Sequence, residues 1–357
     1  MDVALGKKEA DLVVINANVL NVYTGELLAN QGISICDKWI AYVGQNAADT
    51  IGPETLVIDA AGKTVIPGLI DGHTHLAWTS TPYEFLRHIM RGGTTTLITE
   101  TLEPYPVAGL SGVLDFLASL ADQPIKIYAT APAVVSISGT AKQMPIEDLK
   151  HLMRHDAIVG LGETYWQAVV QEPELMLPRL VEALKSGKIL EGHSAGASEK
   201  KLNAYITAGF SSCHEPISAQ EVLDRLRLGL HVMAREGSIR RDLKEISEIK
   251  SSGVDFRRLI LATDGISPND LLQHGYMEYL VQKAIDCGFE PIEAVQMTTL
   301  NVAEHFSLDH LIGGIAPGRF ADLVIIPDIE TIKAEKVISN GKLIAQNGEL
   351  VVEPRMH

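Results

Sequence analysis

The stretch Val65-Ile-Pro-Gly-Leu-Ile-Asp-Gly-His-Thr-His75 carries the reading of the fold. Its apolar, β-branched start predicts a strand over 65–73, and that strand runs into His73-x-His75. In extended backbone, residues i and i+2 point to the same side, so both imidazoles can face one metal ion. Alone the pair says little, because two surface histidines at this spacing would read the same way. Its meaning comes from what surrounds it.

Further strand-like segments follow at 94–100, 125–132, 157–163, 188–193, 209–214, 229–235 and 258–264. Amphipathic stretches lie between most of them, among them Pro173–Lys185, Ala219–Leu226 and Asn269–Ala284. Strand–helix units in this number, within about 250 residues, match an α/β chain folded as a (β/α)8 TIM barrel over 64–316. An open doubly wound sheet is the competing architecture, but no Gly-rich fingerprint follows the first strand.

Both chain ends look different from this middle. Asp11–Asn16, Gly32–Cys36, Trp39–Val43 and Leu56–Asp59 are short β-branched runs split by Gly, Asn and Asp. Asp322–Ile326, Lys336–Ile338, Lys342–Ala345 and Leu350–Val352 repeat the pattern, with hairpin signals at Asn340-Gly341 and Asn347-Gly348. Residues 1–63 and 317–357 are therefore expected to meet in one small composite β-sandwich domain.

Polar residues gather where the barrel strands should end, the face on which such folds keep their active sites. Gly160-Leu-Gly-Glu163 ends the fourth strand in a carboxylate. Leu190-Glu-Gly-His193 and Ser211-Ser-Cys-His214 end the fifth and sixth in histidines, and Leu259-Ile-Leu-Ala-Thr-Asp264 ends the eighth in an aspartate. Each has a plain alternative: Glu163 a loop acid, His193 or His214 a hydrogen-bonded core histidine, Asp264 a helix cap. Their coincidence at the strand ends of one fold is what favours a metal site.

Composition narrows the partners. The net charge of −15, with no basic cluster longer than Arg240-Arg241, excludes nucleic acid as an expected ligand. Cys36, Cys213 and Cys287 are odd in number and far apart, so no disulfide framework is expected and a reducing compartment fits. No apolar h-region precedes the first acids, and no apolar run reaches the roughly 18–20 residues of a membrane span. A cytoplasmic enzyme acting on a small molecule is the expectation, with a dimer as the default assembly.

Pro67-Gly-Leu-Ile-Asp-Gly-His-Thr-His75, the single histidines after strands five and six, and Thr263-Asp264 together resemble the amidohydrolase superfamily. So does Gly314-Ile-Ala-Pro-Gly-Arg-Phe-Ala-Asp-Leu-Val324, where such chains leave the barrel for their β-sandwich. Within it the likeness is to bacterial-type adenine deaminases, through Arg91–Thr96, Glu191-Gly-His193, Leu202–Gly209, Arg235-Glu-Gly-Ser238, Asp270-Leu-Leu272 and Gln296–Asn301.

The resemblance implies two divalent metal ions, His73, His75 and Asp264 holding one and His193 and His214 the other. Glu163 would bridge them, where many relatives carry a carbamylated lysine. It leans towards Mn2+ or Fe2+, and Zn2+ also suits imidazole and carboxylate. Asp264 would move protons, and Glu103 would steady the ring nitrogens of adenine while its amino group is replaced by hydroxyl to give hypoxanthine. Glu100, Arg235, Glu236 and Ser238 would line the pocket, with a structural ion pair as the competing role for Arg235 and Glu236.

The chain departs from that pattern in three places. Glu100-Thr-Leu-Glu103 stands where the family has Asp-Pro-His-Glu, Gly275-Tyr276 where Gly-His is usual, and Gly265 where a second aspartate often follows. All fall around the pocket and leave the metal ligands intact, so another purine-like ring, a pterin or a cyclic or linear amide stands as an alternative substrate. A non-catalytic scaffold is the third reading. Family members also continue into a further C-terminal domain, so the sequence is either a short form or a fragment.

Overall fold

The computed structural model describes residues 1–78, 80–133 and 144–356. Its strands in chain order are β1 (Leu12–Asn21), β2 (Glu26–Cys36), β3 (Trp39–Gly44), β4 (Leu56–Asp59), β5 (Thr64–Pro67), β6 (Leu69–Thr74), β7 (Thr94–Glu100), β8 (Lys126–Pro132) and β9 (Ile158–Tyr165). There follow β10 (Ile189–His193), β11 (Ser212–Cys213), β12 (His231–Arg235), β13 (Leu259–Ala262), β14 (Leu323–Ile326), β15 (Lys336–Ser339), β16 (Lys342–Gln346) and β17 (Glu349–Leu350).

The two chain ends meet in one nine-stranded sheet of order β17-β16-β15-β14-β5-β1-β2-β3, with β4 added beside β1. Asn340-Gly341 and Asn347-Gly348 make its tight turns, all four residues at positive φ, as a two-residue hairpin with right-handed strand twist requires. Leu12, Val14, Val19, Ile33, Ile35, Leu323, Ile325 and Ile338 form its buried core. At roughly 1.5–3 kcal/mol for each such side chain removed from water, that core outweighs any single polar contact in the sheet.

The strand expected over 65–73 is in fact two. It breaks at Gly68, whose N–H donates to Asp322 O at 2.9 Å. A Cβ at Gly68 would sit 2.1 Å from Thr95 Oγ1, so only glycine lets the chain pass there. Before the break β5 pairs with β1 and β14 in the terminal sheet; after it β6 begins the parallel layer beside β7. This short stretch joins the two parts of the fold.

The remaining strands run parallel in two arcs, β6-β7-β8-β9-β10 and β11-β12-β13. Ser211 N–H donates to Leu190 O at one seam and Asp264 N–H to His73 O at the other, both at 3.0 Å. The sixth expected strand shrinks to Ser212–Cys213. Helices pack outside the arcs with ordinary local logic. Thr81 caps the helix Pro82–Ile89 by accepting from Glu84 N–H, and that helix buries Phe85, Leu86 and Ile89. Ile70, Ile98, Met233 and Ile260, from β6, β7, β12 and β13, pack with Val302 and Phe306 into a buried apolar cluster. Among the described residues no helix is long and apolar enough to cross a membrane.

Candidate metal centre

The parallel strands deliver their last residues to one place. His73 and His75 come from the end of β6, Glu163 from β9, His193 from the end of β10, and His214 and Asp264 from just past β11 and β13. All but His193 are buried, and it is nearly so. Ligand atoms lie within 4.8 Å of one another in three sets: His73, His75 and Glu163; His73, His214 and Asp264; and Glu163, His193 and His214.

Glu163 stands at the middle. Its Oε2 is 2.6 Å from His193 Nε2, while its Oε1 is 3.5 Å from His73 Nε2, 3.6 Å from His75 Nε2 and 3.9 Å from His214 Nε2. Asp264 Oδ1 faces the same two nitrogens of His73 and His75, at 3.3 and 3.4 Å. The backbone is bent to achieve this: Glu163 and Asp264 have φ of 50° and 53°. That left-handed region costs a non-glycine residue on the order of 1 kcal/mol or more, and such strain concentrates at functional sites.

The donor set fits divalent cations. His73 Nε2 and Glu163 Oε1 are fully buried yet have no hydrogen-bond partner, which leaves both atoms for a cation to use. Burial would depress the imidazoles, but Asp264, Glu100 and Glu103 or Glu163 outweigh it, holding His73 at about 9, His75 at about 11 and His193 at about 10. His214 goes the other way, pushed well below its usual value by burial and then by charge on His73 and His193. Burial raises Glu163 and Asp264, yet the facing histidines hold both carboxyls well below their usual range. Carboxylates that concentrate protons on facing imidazoles also attract a metal ion, which takes the place of those protons on binding.

A second layer of side chains orients the first. His75 Nδ1–H donates to Glu103 at 2.5 Å, and His193 Nδ1 lies 2.8 Å from Glu215 Oε1 as an ion pair. Glu100 Oε1 lies 3.4 Å from His73 Nδ1, and burial followed by the Glu163 charge pushes its carboxyl up to about 8. Carboxylates behind ligating histidines fix ring orientation and raise basicity. Arg235 donates to Asp264 Oδ2 at 2.9 Å, leaving Oδ1 towards the histidines.

Two residues expected in the pocket have bonds leading elsewhere. Glu236 pairs with Lys283 and accepts from Leu243 N–H. Ser238 donates to Asp270 and accepts from Ser267 N–H, stapling two loops.

Sequence reasoning missed several neighbours. Fully buried Asp71 accepts from Tyr276 Oη and Thr263 Oγ1, each at 2.6 Å, and from His73 N–H at 3.2 Å, tying the first strand to the last. An acid inside an apolar strand was its signal. Glu191, two residues before His193, comes within 4.8 Å of ligand atoms of His73 and Glu100, a placement the i, i+2 rule could have offered. Trp78 on His75 and Tyr165 on His193, rings stacked at 4.0 and 4.3 Å, left no signal in the pattern.

Comparison with known proteins gives a consistent result. The sequence model of the amidohydrolase family matches residues 64–344. Adenine deaminase of Cenarchaeum symbiosum (strain A) is 35% identical over 98% of this chain and 58% of its own length. That of Clostridium botulinum (strain Loch Maree / Type A3) is 37% identical over 98% and 59%. The chain thus spans about three fifths of the length of these curated relatives. Among solved structures, β-aspartyl dipeptidase of Fervidobacterium islandicum AW-1 superposes with a TM-score of 0.71 at 17% identity, covering 96% of this chain and 97% of that one. Enamidase gives 0.71 at 20% identity, over 96% and 99%.

Proposed function

Because the chain belongs to the amidohydrolase family, we propose that it is a metal-dependent hydrolytic deaminase that converts adenine, or a close purine-like analogue, and water to hypoxanthine and ammonia. The reading is carried by the convergence of His73, His75, His193, His214 and Asp264 around Glu163. The relatives' names supply the substrate class. A complete donor set also argues against a scaffold, which has no use for six converging ligands.

His73, His75 and Asp264 would hold one divalent ion, and His193 and His214 the other, with Glu163 between them. Mn2+ or Fe2+ is the expected occupant, and Zn2+ also suits the donors. Bound there, such ions lower the pKa of water from about 15.7 towards about 7. Asp264 takes the proton of the attacking water as its oxygen adds to C6 of the ring, and returns a proton to the amino group as it departs. Arg235 fixes the rotation of that carboxylate. Glu103, beside His75, is the acid within reach of the ring nitrogens, and buried Glu100 acts through His73.

The same reading treats the two parallel arcs as one closed (β/α)8 barrel over 64–316. Residues 1–63 and 317–357 form the composite β-sandwich domain, to which β5 contributes. The protein is read as cytoplasmic and acting on a small molecule.

An ammonia-release screen over adenine, other aminopurines, pterins and simple amides, in Mn2+ and in Fe2+, tests the reading. Release from adenine or another aminopurine above the rest is expected. Turnover confined to amides would replace deamination with amide hydrolysis.

A further inference from the structure

The deaminase reading assigns no group to the flat face of the ring. We propose that Trp78 is the stacking platform for a planar heteroaromatic substrate, and so a specificity-determining residue of the site; this rests on that reading.

Trp78 stands three residues beyond His75, in the single turn Leu76–Trp78. The turn is pinned from below: Leu76 is fully buried, and its N–H donates to Thr99 Oγ1 at 3.1 Å. Trp78 N–H donates to His75 O at 3.2 Å, so the indole is carried by the ligand strand itself. Its ring lies on the His75 imidazole with centroids 4.0 Å apart and planes 9° from parallel. One face is therefore covered. The residue is nevertheless 49% exposed, which leaves the opposite face as the one a ring could cover.

The indole also reaches the far side of the centre. A Cβ at Gly265, next to Asp264, would lie 3.5 Å from Trp78 Cε3. Trp78 thus borders both the residue that ends the histidine pair and the neighbour of the proposed proton carrier. The imidazoles continue the row, with centroid separations of 5.3 Å from His75 to His73, 3.9 Å to His214 and 4.5 Å to His193. Tyr165, half-buried, ends it on His193 at 4.3 Å. Trp78 is the more open of the two terminal rings.

A half-exposed indole at a buried charged centre leaves apolar surface in water that a bound ring would cover. Stacking on an aromatic side chain strengthens the binding of a base roughly 10-fold or more, irrespective of which base it is. A linear amide has no π-face to match. The platform would therefore select flat rings as a class, leaving the choice among them to polar groups such as Glu103.

The test uses the full chain loaded with Mn2+, comparing wild type with Trp78→Phe and Trp78→Leu. Metal content, kcat and KM for adenine, and calorimetric affinity for hypoxanthine are measured. In the leucine variant KM and the hypoxanthine Kd should rise roughly 10-fold or more, with metal content unchanged; phenylalanine should restore most of the loss. Unchanged KM and Kd in Trp78→Leu would overturn the proposal while leaving deamination intact. So would loss of metal and kcat with KM held, which would make Trp78 only a support for His75. A wild type that releases no ammonia from adenine yet binds hypoxanthine through Trp78 would sink the deaminase reading and keep the platform. Failure of the wild type to bind hypoxanthine would overturn the platform as well.

Discussion

The mouth of the parallel arcs and the sheet made from the chain ends use the same unusual backbone for opposite ends. In the sheet, left-handed residues such as Asn340 and Asn347 precede glycines in tight hairpins, where asparagine tolerates that conformation cheaply. In the mouth they are Glu163 and Asp264, buried carboxylates with no turn to make. Polarity divides likewise. β14 is four buried apolar residues, whereas β6 ends in buried histidines and β9 carries a buried glutamate. Strain and buried charge that serve no packing purpose mark the part of the molecule for which chemistry is proposed.

The sharpest way to break this contrast is to change the mouth and watch stability. Asp264→Asn or His73→Ala should cut turnover by about 10^3-fold or more, while thermal unfolding shifts by only a few degrees. Unfolding in step with the lost activity would make these residues structural. The converse substitution is Ile338→Ala in the terminal sheet, where the side chain is fully buried. It should cost about 2–5 kcal/mol in denaturant unfolding and leave kcat unchanged at a temperature where the variant is folded. A matching fall in kcat would mean that the sheet reaches into the chemistry.

Glu278 offers a smaller and subtler test, because it is a half-buried acid outside the mouth. One carboxyl oxygen has no hydrogen-bond partner, and burial pushes the group up to about 7. The folded protein therefore holds this proton more tightly than the unfolded chain does. Stability from this group is present below the ordinary glutamate range and is lost as pH rises through about 7. Glu278→Gln should then stabilise the protein by roughly 1–2 kcal/mol at pH 8, with little effect at pH 4 and none on turnover. Equal melting shifts at both pH values would show that the carboxyl is already solvated.

Much of this was legible in the sequence. Strand ends at Glu163, His193, His214 and Asp264 could be read from β-branched runs that stop at a polar residue, and the terminal hairpins from Asn-Gly pairs. The break at Gly68 was not, because it follows from how closely Thr95 approaches, a tertiary contact with no local pattern. The shortness of β11 is a matter of pairing rather than propensity. The convergence of the candidate ligands was legible because it depends on strand parity, which period-2 alternation reveals. The partners behind them were not: Glu215 and Arg235 act through directions of side chains, and Glu236 and Ser238 turned to Lys283 and Asp270. The stacking of Trp78 and Tyr165 likewise depends on where loops settle.

The most direct measurement is anomalous diffraction from crystals of protein purified with Mn2+. Two peaks are expected, one among His73, His75 and Asp264 and one beside His193 and His214, with Glu163 reaching both. A protein that binds no divalent metal there, or that holds it away from Glu163, would contradict the central claim.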